Sequence, residues 1–448
     1  MSDKVQRVPT EAPRISTRLF PALCGLLLGL ALLKFGNPVI FEDQIDRPTE
    51  LLGWLVQPWP LAYGYAVAGA VLLCGIVNGF GKRPYFPRVC WLPLVWVIWQ
   101  MIATNESIAP SLSRQALVHF LVCVALFYLG FFCLSQYSQT WPFWIIISLC
   151  FIVSVRTGIA QHFGGLEATR VYFFDHIYPT LTSPPPDLIR KMKTNRIFAT
   201  LFYPNTFAAI ILLYVPVFVG LLIRLKDFLK PSIRAVLALL ILAPSLCCLI
   251  WSGSKAGWLL FLLIVLIAIF HCGISRRMKV GVLVSLGVLG LLGFFVRYKA
   301  FFDKGATSVS ARFDYWEAGW KTGLAHPITG AGPGTFGPAY LKIKRPDSEM
   351  ARLAHNDYLE QWSDSGLVGF LAFFGFIAGS LVLLYRHSDK NIHSESFWIW
   401  LGLLAVSLHS FVEFHLYIPA LAWPMFLLFG LAWGRVAAKN IDKGRVLA

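Results

Sequence analysis

The sequence predicts an all-α integral membrane protein of about twelve transmembrane helices, with a large outer loop between the ninth and tenth spans. Three observations predict it. The 448 residues are 57% hydrophobic and 14% charged, where a soluble chain carries roughly 25% charged residues. Apolar blocks of about 15–20 residues recur along the whole length. All nine cysteines (Cys24, Cys74, Cys90, Cys123, Cys133, Cys150, Cys247, Cys248 and Cys272) lie within or beside those blocks. They show neither metal-ligand spacing nor a disulfide framework, and read as small packing residues. The expected setting is the lipid bilayer, with no nucleic-acid partner.

The expected spans cover residues 19–35, 61–78, 89–103, 116–134, 141–155, 206–223, 235–251, 257–273, 280–296, 366–385, 397–412 and 419–434. Together they form one polytopic membrane domain over 1–448. The third and fifth are short for a full crossing. Lys4, Arg7, Arg14 and Arg18 precede the first apolar run, and no small-x-small cleavage site follows it, so an uncleaved first span is expected. Cations then sort by side. Lys82, Arg83 and Arg88, then Arg224, Lys226, Lys230 and Arg234, then Arg276, Arg277 and Lys279 fall in alternate connections. Arg386, Lys390 and the tail with Arg435, Lys439, Lys443 and Arg445 continue the series. The positive-inside rule therefore places both termini in the cytoplasm.

Two long outer segments break that bias. Residues 156–205 hold Arg156, Arg170, Arg190, Lys191, Lys193 and Arg196, and residues 297–365 hold nine more cations, including Arg297, Lys304 and Arg312. Long loops translocate largely regardless of charge. Two readings stand for these cations: an anionic ligand such as a phosphate or diphosphate, or a solvated basic face against anionic lipid head groups. In the first segment, Ser183-Pro184-Pro185-Pro186 excludes helix and suggests an extended rim, and Asn205 is placed to cap the sixth span. The seventh and eighth spans are joined by Ser252-Gly253-Ser254-Lys255-Ala256, which sets Lys255 at the outer interface. In the second segment, Ser310 is placed to cap a helix ending near Gly323, with Phe313, Trp316 and Trp320 on one face. Gly330-Ala331-Gly332-Pro333-Gly334 then forms a compact turn, and Lys342-Ile343-Lys344-Arg345-Pro346 an exposed basic stretch.

The second segment closes on His355, where a polar stretch enters the tenth span. At helical spacing His355, Tyr358, Leu359 and Trp362 share one face, and Asp357, Glu360 and Asp364 lie mostly on another. A histidine here is commonly a cap or core-edge residue. It is also the residue type that takes a proton from a hydroxyl near neutrality, and the surrounding Arg and Lys can stabilise a departing diphosphate. No zinc motif, Asp-x-Asp pair or serine nucleophile competes with it, so the expected site has no metal and no cofactor. Glu413 and His415, between the last two spans, either support this site or only stabilise their loop.

The ordered set of the Arg196 segment, Ser252-Gly253-Ser254-Lys255, Ser310-Ala311-Arg312, Pro327 to Phe336, and His355-Asn356 with Gly366 and Gly369 resembles the O-antigen ligase and O-antigen polymerase superfamily, most densely over 240–380. The resemblance implies a GT-C-like membrane glycosyltransferase. Its donor would be an undecaprenyl-diphosphate-linked glycan, its acceptor lipid A-core (ligase) or another lipid-linked glycan (polymerase), and its place the periplasmic face of the bacterial inner membrane. It also implies His355 as catalytic base, Arg196 and Arg312 on the diphosphate, and a weaker carried-over role for Lys255, where many members have Arg. Asn356 adjoins the base as a supporting residue. Two other classes remain open on residues alone: a multi-pass solute transporter, which the scarcity of mid-span acids disfavours, and a non-catalytic assembly subunit.

Overall fold

The computed structural model describes residues 17–442 apart from 46, 52–53, 55–56, 80–85, 181–188, 190–191, 304–306 and 347. Lys4, Arg7, Arg14, Lys82, Arg83, Arg190, Lys191, Lys304, Lys443, Arg445 and the Ser183–Pro186 rim lie outside the described residues. Among those described, helices and turns are present and strands are not. In chain order the helices are α1 (Leu19–Lys34), α2 (Leu61–Asn78), α3 (Leu92–Asn105), α4 (Pro110–Phe132), α5 (Trp141–Ala160), α6 (Leu166–Tyr172), α7 (Pro204–Arg224) and α8 (Pro231–Ser252). Then follow α9 (Lys255–His271), α10 (Arg276–Asp303), α11 (Thr307–Ala325), α12 (Phe336–Ile343), α13 (Asp357–His387), α14 (Glu395–His409) and α15 (Pro419–Asp442).

A helix stands at each expected span. Length and hydropathy qualify eight of them for a full crossing, namely α2, α4, α5, α7, α8, α10, α13 and α15 with their flanking turns. The apolar helices α1, α9 and α14 are shorter, at 16, 17 and 15 residues, and α3 has 14, near or below the roughly 17 residues a crossing needs. The central helix is α15, with 94% of its apolar window buried. It lies along α4 because Gly130 and Gly430 bring the two backbones together: a Cβ on Gly130 would sit 2.3 Å from the Leu427 carbonyl, a small-residue crossing of the kind lipid-embedded helices use. At the periphery, α10 buries 6% of its window, so its apolar side chains face outward where lipid would be.

The two ends of the bundle differ. At one end Glu395 accepts from Arg224, from Arg435 (3.0 Å) and from Trp144 Nε1 (2.7 Å). The helices α7 and α14 run from that cluster to the opposite end, where the two long polar segments fold together.

Several boundaries move, each for a physical reason. Asn205 does not cap α7. Proline takes the first helical position and its fixed φ begins the helix at once, leaving Tyr203, extended at φ −126° and ψ 133°, as the preceding residue. Ser310 does not cap α11, which begins at Thr307 and ends at Ala325. The ninth span overruns its expected end at 296 as far as Asp303. The stretch expected as a loop over 297–365 is thus mostly helical, holding the end of α10, then α11 and α12.

The largest change concerns α13, which starts at Asp357 rather than 366 and is broken at Gly366, with φ 63° and ψ −164°. That backbone region is essentially reserved for glycine, and a Cβ there would meet the Ile328 carbonyl oxygen at 2.2 Å. The break leaves upstream carbonyls without helical partners. The glycine turn supplies them: Ala331 N–H donates to Ser363 O and Gly332 N–H to Asp364 O, both at 2.9 Å. Three acids therefore belong to a long apolar helix, near its N-terminal end, and all are buried. Each is held by backbone: Asp357 by Leu416 N–H (3.1 Å), Glu360 by Ala354 N–H (2.9 Å), and Asp364 by Gly334 N–H (2.7 Å) with the Tyr417 hydroxyl (2.6 Å). The histidine expected within the fourth span, His119, is likewise bonded, to Leu416 O at 2.8 Å.

Candidate active site

His355 is not part of the helical face it was expected to share. It precedes α13, and its backbone is left-handed at φ 52°, a conformation uncommon outside glycine and concentrated at functional positions. Its neighbours hold it there. Ala354 N–H is bonded to Glu360 Oε2. Asn356 is the helix cap, its Oδ1 accepting from Tyr358 N–H (3.1 Å) and Leu359 N–H (3.0 Å). Asp357 N–H donates to Ser410 O (2.9 Å) and Glu413 O (3.2 Å). The supporting role of Asn356 is therefore to start α13 and fix the residue before it.

The imidazole of His355 is 25% exposed. It lies edge-on to Phe414, with centroids 4.6 Å apart, and parallel to Tyr315 at 5.9 Å. Its Nδ1 is 3.2 Å from Glu413 Oε2. A carboxylate accepts only, so Nδ1 carries the hydrogen and Nε2 is the basic nitrogen.

Glu413 is the centre of the arrangement, well beyond the loop-stabilising role open to it from sequence. Its Oε1 accepts from Arg312 Nη2 at 2.5 Å and from Asn205 Nδ2. Asn205 turns its other face to Arg196, whose Nη2 donates to Asn205 Oδ1 at 2.6 Å while its Nε donates to Ser252 O at 2.7 Å. One carboxylate thus ties together the three residues singled out from different parts of the chain. The cations are not the isolated charges the sequence suggested. Burial works against ionised Glu413, but the Arg312 guanidinium and the His355 ring outweigh it and hold the carboxyl below the usual range. Burial lowers Arg196, opposed by Glu413, and a guanidinium stays charged regardless.

Lys255 opens α9. Gly253 ends α8 in the left-handed conformation (φ 64°), and Ser254 caps α9 by accepting from Gly257 N–H at 3.2 Å. This two-residue turn sets Lys255 within electrostatic reach of Arg196, Arg312 and Arg297. Its Nζ lies 3.8 Å from the Phe301 ring centroid. His415 stands behind Glu413, its Nε2 3.0 Å from His409 Nδ1. Burial, with His409 alongside, pushes it well below the ordinary imidazole value, so it is neutral at pH 7.

Sequence reasoning missed Asn205 as the bridge from Arg196 to Glu413, and left Glu413 between a supporting and a loop-stabilising role. One signal was available: Glu413 is a lone acid between Phe411-Val412 and Phe414, and a carboxylate in so apolar a setting needs cationic partners. The arrangement has a base oriented by a carboxylate, beside cations that exceed what that carboxylate neutralises. It can deprotonate a hydroxyl and stabilise a multiply charged anion.

Residues 238–374 match the family model described as O-antigen ligase. That segment carries Lys255, Arg297, Arg312 and His355; Arg196, Asn205 and Glu413 lie outside it. An uncharacterized protein of Haemophilus influenzae is 26% identical over 185 residues, covering 36% of this chain and 46% of that relative. The match thus spans about half the relative's length. Over residues 238–374 the chain is thus similar to the O-antigen ligase family, and eight helices among the described residues are long and apolar enough to cross a membrane.

Proposed function

We propose that the protein transfers a glycan from an undecaprenyl-diphosphate carrier to an acceptor hydroxyl at the periplasmic face of the inner membrane, as a surface-polysaccharide ligase. The twelve helices would cross with both termini in the cytoplasm, and the end bearing His355 would face out. The observation that carries the reading is the Glu413 carboxylate holding His355 Nδ1 on one oxygen and Arg312 on the other.

In this mechanism the acceptor hydroxyl gives its proton to His355 Nε2, and its oxygen forms a bond to the anomeric carbon. The bond from that carbon to the diphosphate oxygen breaks, and the electron pair leaves with undecaprenyl diphosphate. Arg196, Arg312 and Lys255 stabilise the departing anion, while Glu413 stabilises the imidazolium until its proton passes to solvent. Orienting a base through a carboxylate is a general solution to proton abstraction, and a positioned base contributes roughly 10²–10⁴ in rate. Neither metal nor cofactor is required by these steps. The same chemistry serves a polymerase whose acceptor is a second lipid-linked repeat.

The test uses purified full-length protein in lipid nanodiscs with a lipid-diphosphate glycan, offered either lipid A-core or a second lipid-linked repeat unit. Transfer to lipid A-core, lost in His355→Ala with the protein still inserted and folded, is the expected result. Undiminished transfer by His355→Ala would overturn the catalytic assignment, and transfer only to the repeat unit would make the protein a polymerase.

A further inference from the structure

The C-terminal end of α10 carries a buried tyrosine beside Lys255. Along α10, from Arg276 to Asp303, the buried residues are Phe294 and Tyr298, on a helix otherwise turned outward. Tyr298 is 5% exposed, and its hydroxyl is enclosed with no hydrogen-bond partner among the described residues. Leaving an enclosed hydroxyl unpaired is unfavourable, so its position wants an explanation. Its surroundings are cationic. The Lys255 ammonium lies 5.2 Å from the Tyr298 ring centroid and the Arg297 guanidinium 5.6 Å from it. Arg196 is also within electrostatic reach of the ring's hydroxyl. Nearby, Arg312 has the same unfinished character: its Nη2 holds Glu413, and its Nε is enclosed without a partner among the described residues.

We propose that Tyr298 is a ligand of the donor diphosphate, its hydroxyl donating to a phosphate oxygen that Arg297, Lys255 and the open Nε of Arg312 also face. A phosphate supplies what both donors lack among the described residues, lone pairs and negative charge, at a place where cations outnumber the carboxylate. The rings of Tyr298 and Phe301 have a second effect. They form a shelf over which the Lys255 ammonium is held by cation–π attraction, which gives a lysine some of the positional definition that a planar arginine fork would have on its own. The inference rests on the donor reading above and adds the C-terminal end of α10 to the binding site.

The experiment measures binding of geranylgeranyl diphosphate, and its competition by inorganic diphosphate, to the full-length protein in nanodiscs. Parent, Tyr298→Phe and Arg312→Ala are compared, together with the thermal stability of each. Tyr298→Phe should weaken binding of both diphosphates by about 10–150-fold, the size of one hydrogen bond to a charged partner. Its melting temperature should be unchanged or higher, because the hydroxyl it removes has no partner among the described residues. If Arg312→Ala weakens binding and Tyr298→Phe stays within twofold of the parent, Tyr298 is not a ligand while the cationic clamp stands. A marked loss of stability in Tyr298→Phe overturns the proposal by revealing a structural partner, as does a loss for the lipid diphosphate that inorganic diphosphate does not share. If neither variant alters binding, the donor reading falls and this inference with it.

Discussion

Replacing Glu413 with glutamine separates a catalytic centre from a merely well-packed loop. Glu413 is 5% exposed at its side chain and receives hydrogen bonds from Arg312, Asn205 and His355. All three partners are donors. A glutamine of the same shape must turn its NH₂ toward at least one of them, so a donor faces a donor and Arg312 loses its counter-charge. Breaking a buried pair from one side costs about 3–5 kcal/mol. The rate should fall further than that loss of stability explains, because the carboxylate also sets the His355 tautomer; losing an oriented base is worth about 10²–10⁴ in turnover. The assay is glycan transfer per folded molecule in nanodiscs, with the folded fraction fixed by thermal unfolding. Glu413→Gln should be at least about 10²-fold slower, and Glu413→Asp should recover part of the loss. In the background of His355→Ala, Glu413→Gln should add little, since two residues acting as a unit are not additive. A Glu413→Gln protein that melts earlier but turns over within threefold of the parent would refute the reasoning.

Three further outcomes can be checked. Arg312→Lys keeps the charge but loses the planar fork that reaches Glu413 while leaving Nε for a ligand; donor affinity should drop about tenfold, read from the apparent KM, with stability nearly retained. Gly366→Ala should destabilise by about 2–4 kcal/mol, seen as an earlier unfolding transition, because the new Cβ meets the Ile328 carbonyl in a backbone region alanine avoids. The pH dependence of stability has a definite sign. Glu413 is held below the ordinary carboxylate range, so its contribution is fully present above roughly pH 5 and is lost as pH falls through its lowered value. The stability gap between the parent and Glu413→Gln should therefore be flat from about pH 5 to 8 and close only in stronger acid.

Much of the frame could be read from apolar runs, because a helix in lipid must satisfy its own backbone and so needs a long uninterrupted apolar stretch. Candidate site residues could be named too: His355 by its chemistry, Arg196 and Arg312 by what the family resemblance implies. Their connection could not. Glu413 follows His355 by 58 residues and Arg312 by 101, and no local pattern encodes a contact across two helices. The polar stretch from Asp357 to Asp364 misled for a related reason. Hydropathy places three acids in water, whereas the fold buries them by supplying the N–H groups of Ala354, Gly334 and Leu416 from distant segments. Asn205 was misread because a side chain one residue past a proline resembles a cap until the proline is seen to begin the helix itself.

Those buried acids also explain how His355 can occupy a left-handed backbone. A strained residue persists only where its surroundings over-determine it. Here Glu360 fixes the residue before His355, and the carbonyls of Ser410 and Glu413 fix the residue two beyond it. Further along α13, Asp364 and the break at Gly366 lock the glycine turn against the same helix. A transporter would place such acids where ions pass and would need them to change partners. These are bonded to backbone groups at the N-terminal end of one helix, an arrangement that resists movement and holds an imidazole steady over a carboxylate. The acids that enlarge the acidic content of the spans therefore favour a fixed chemical site over a moving gate.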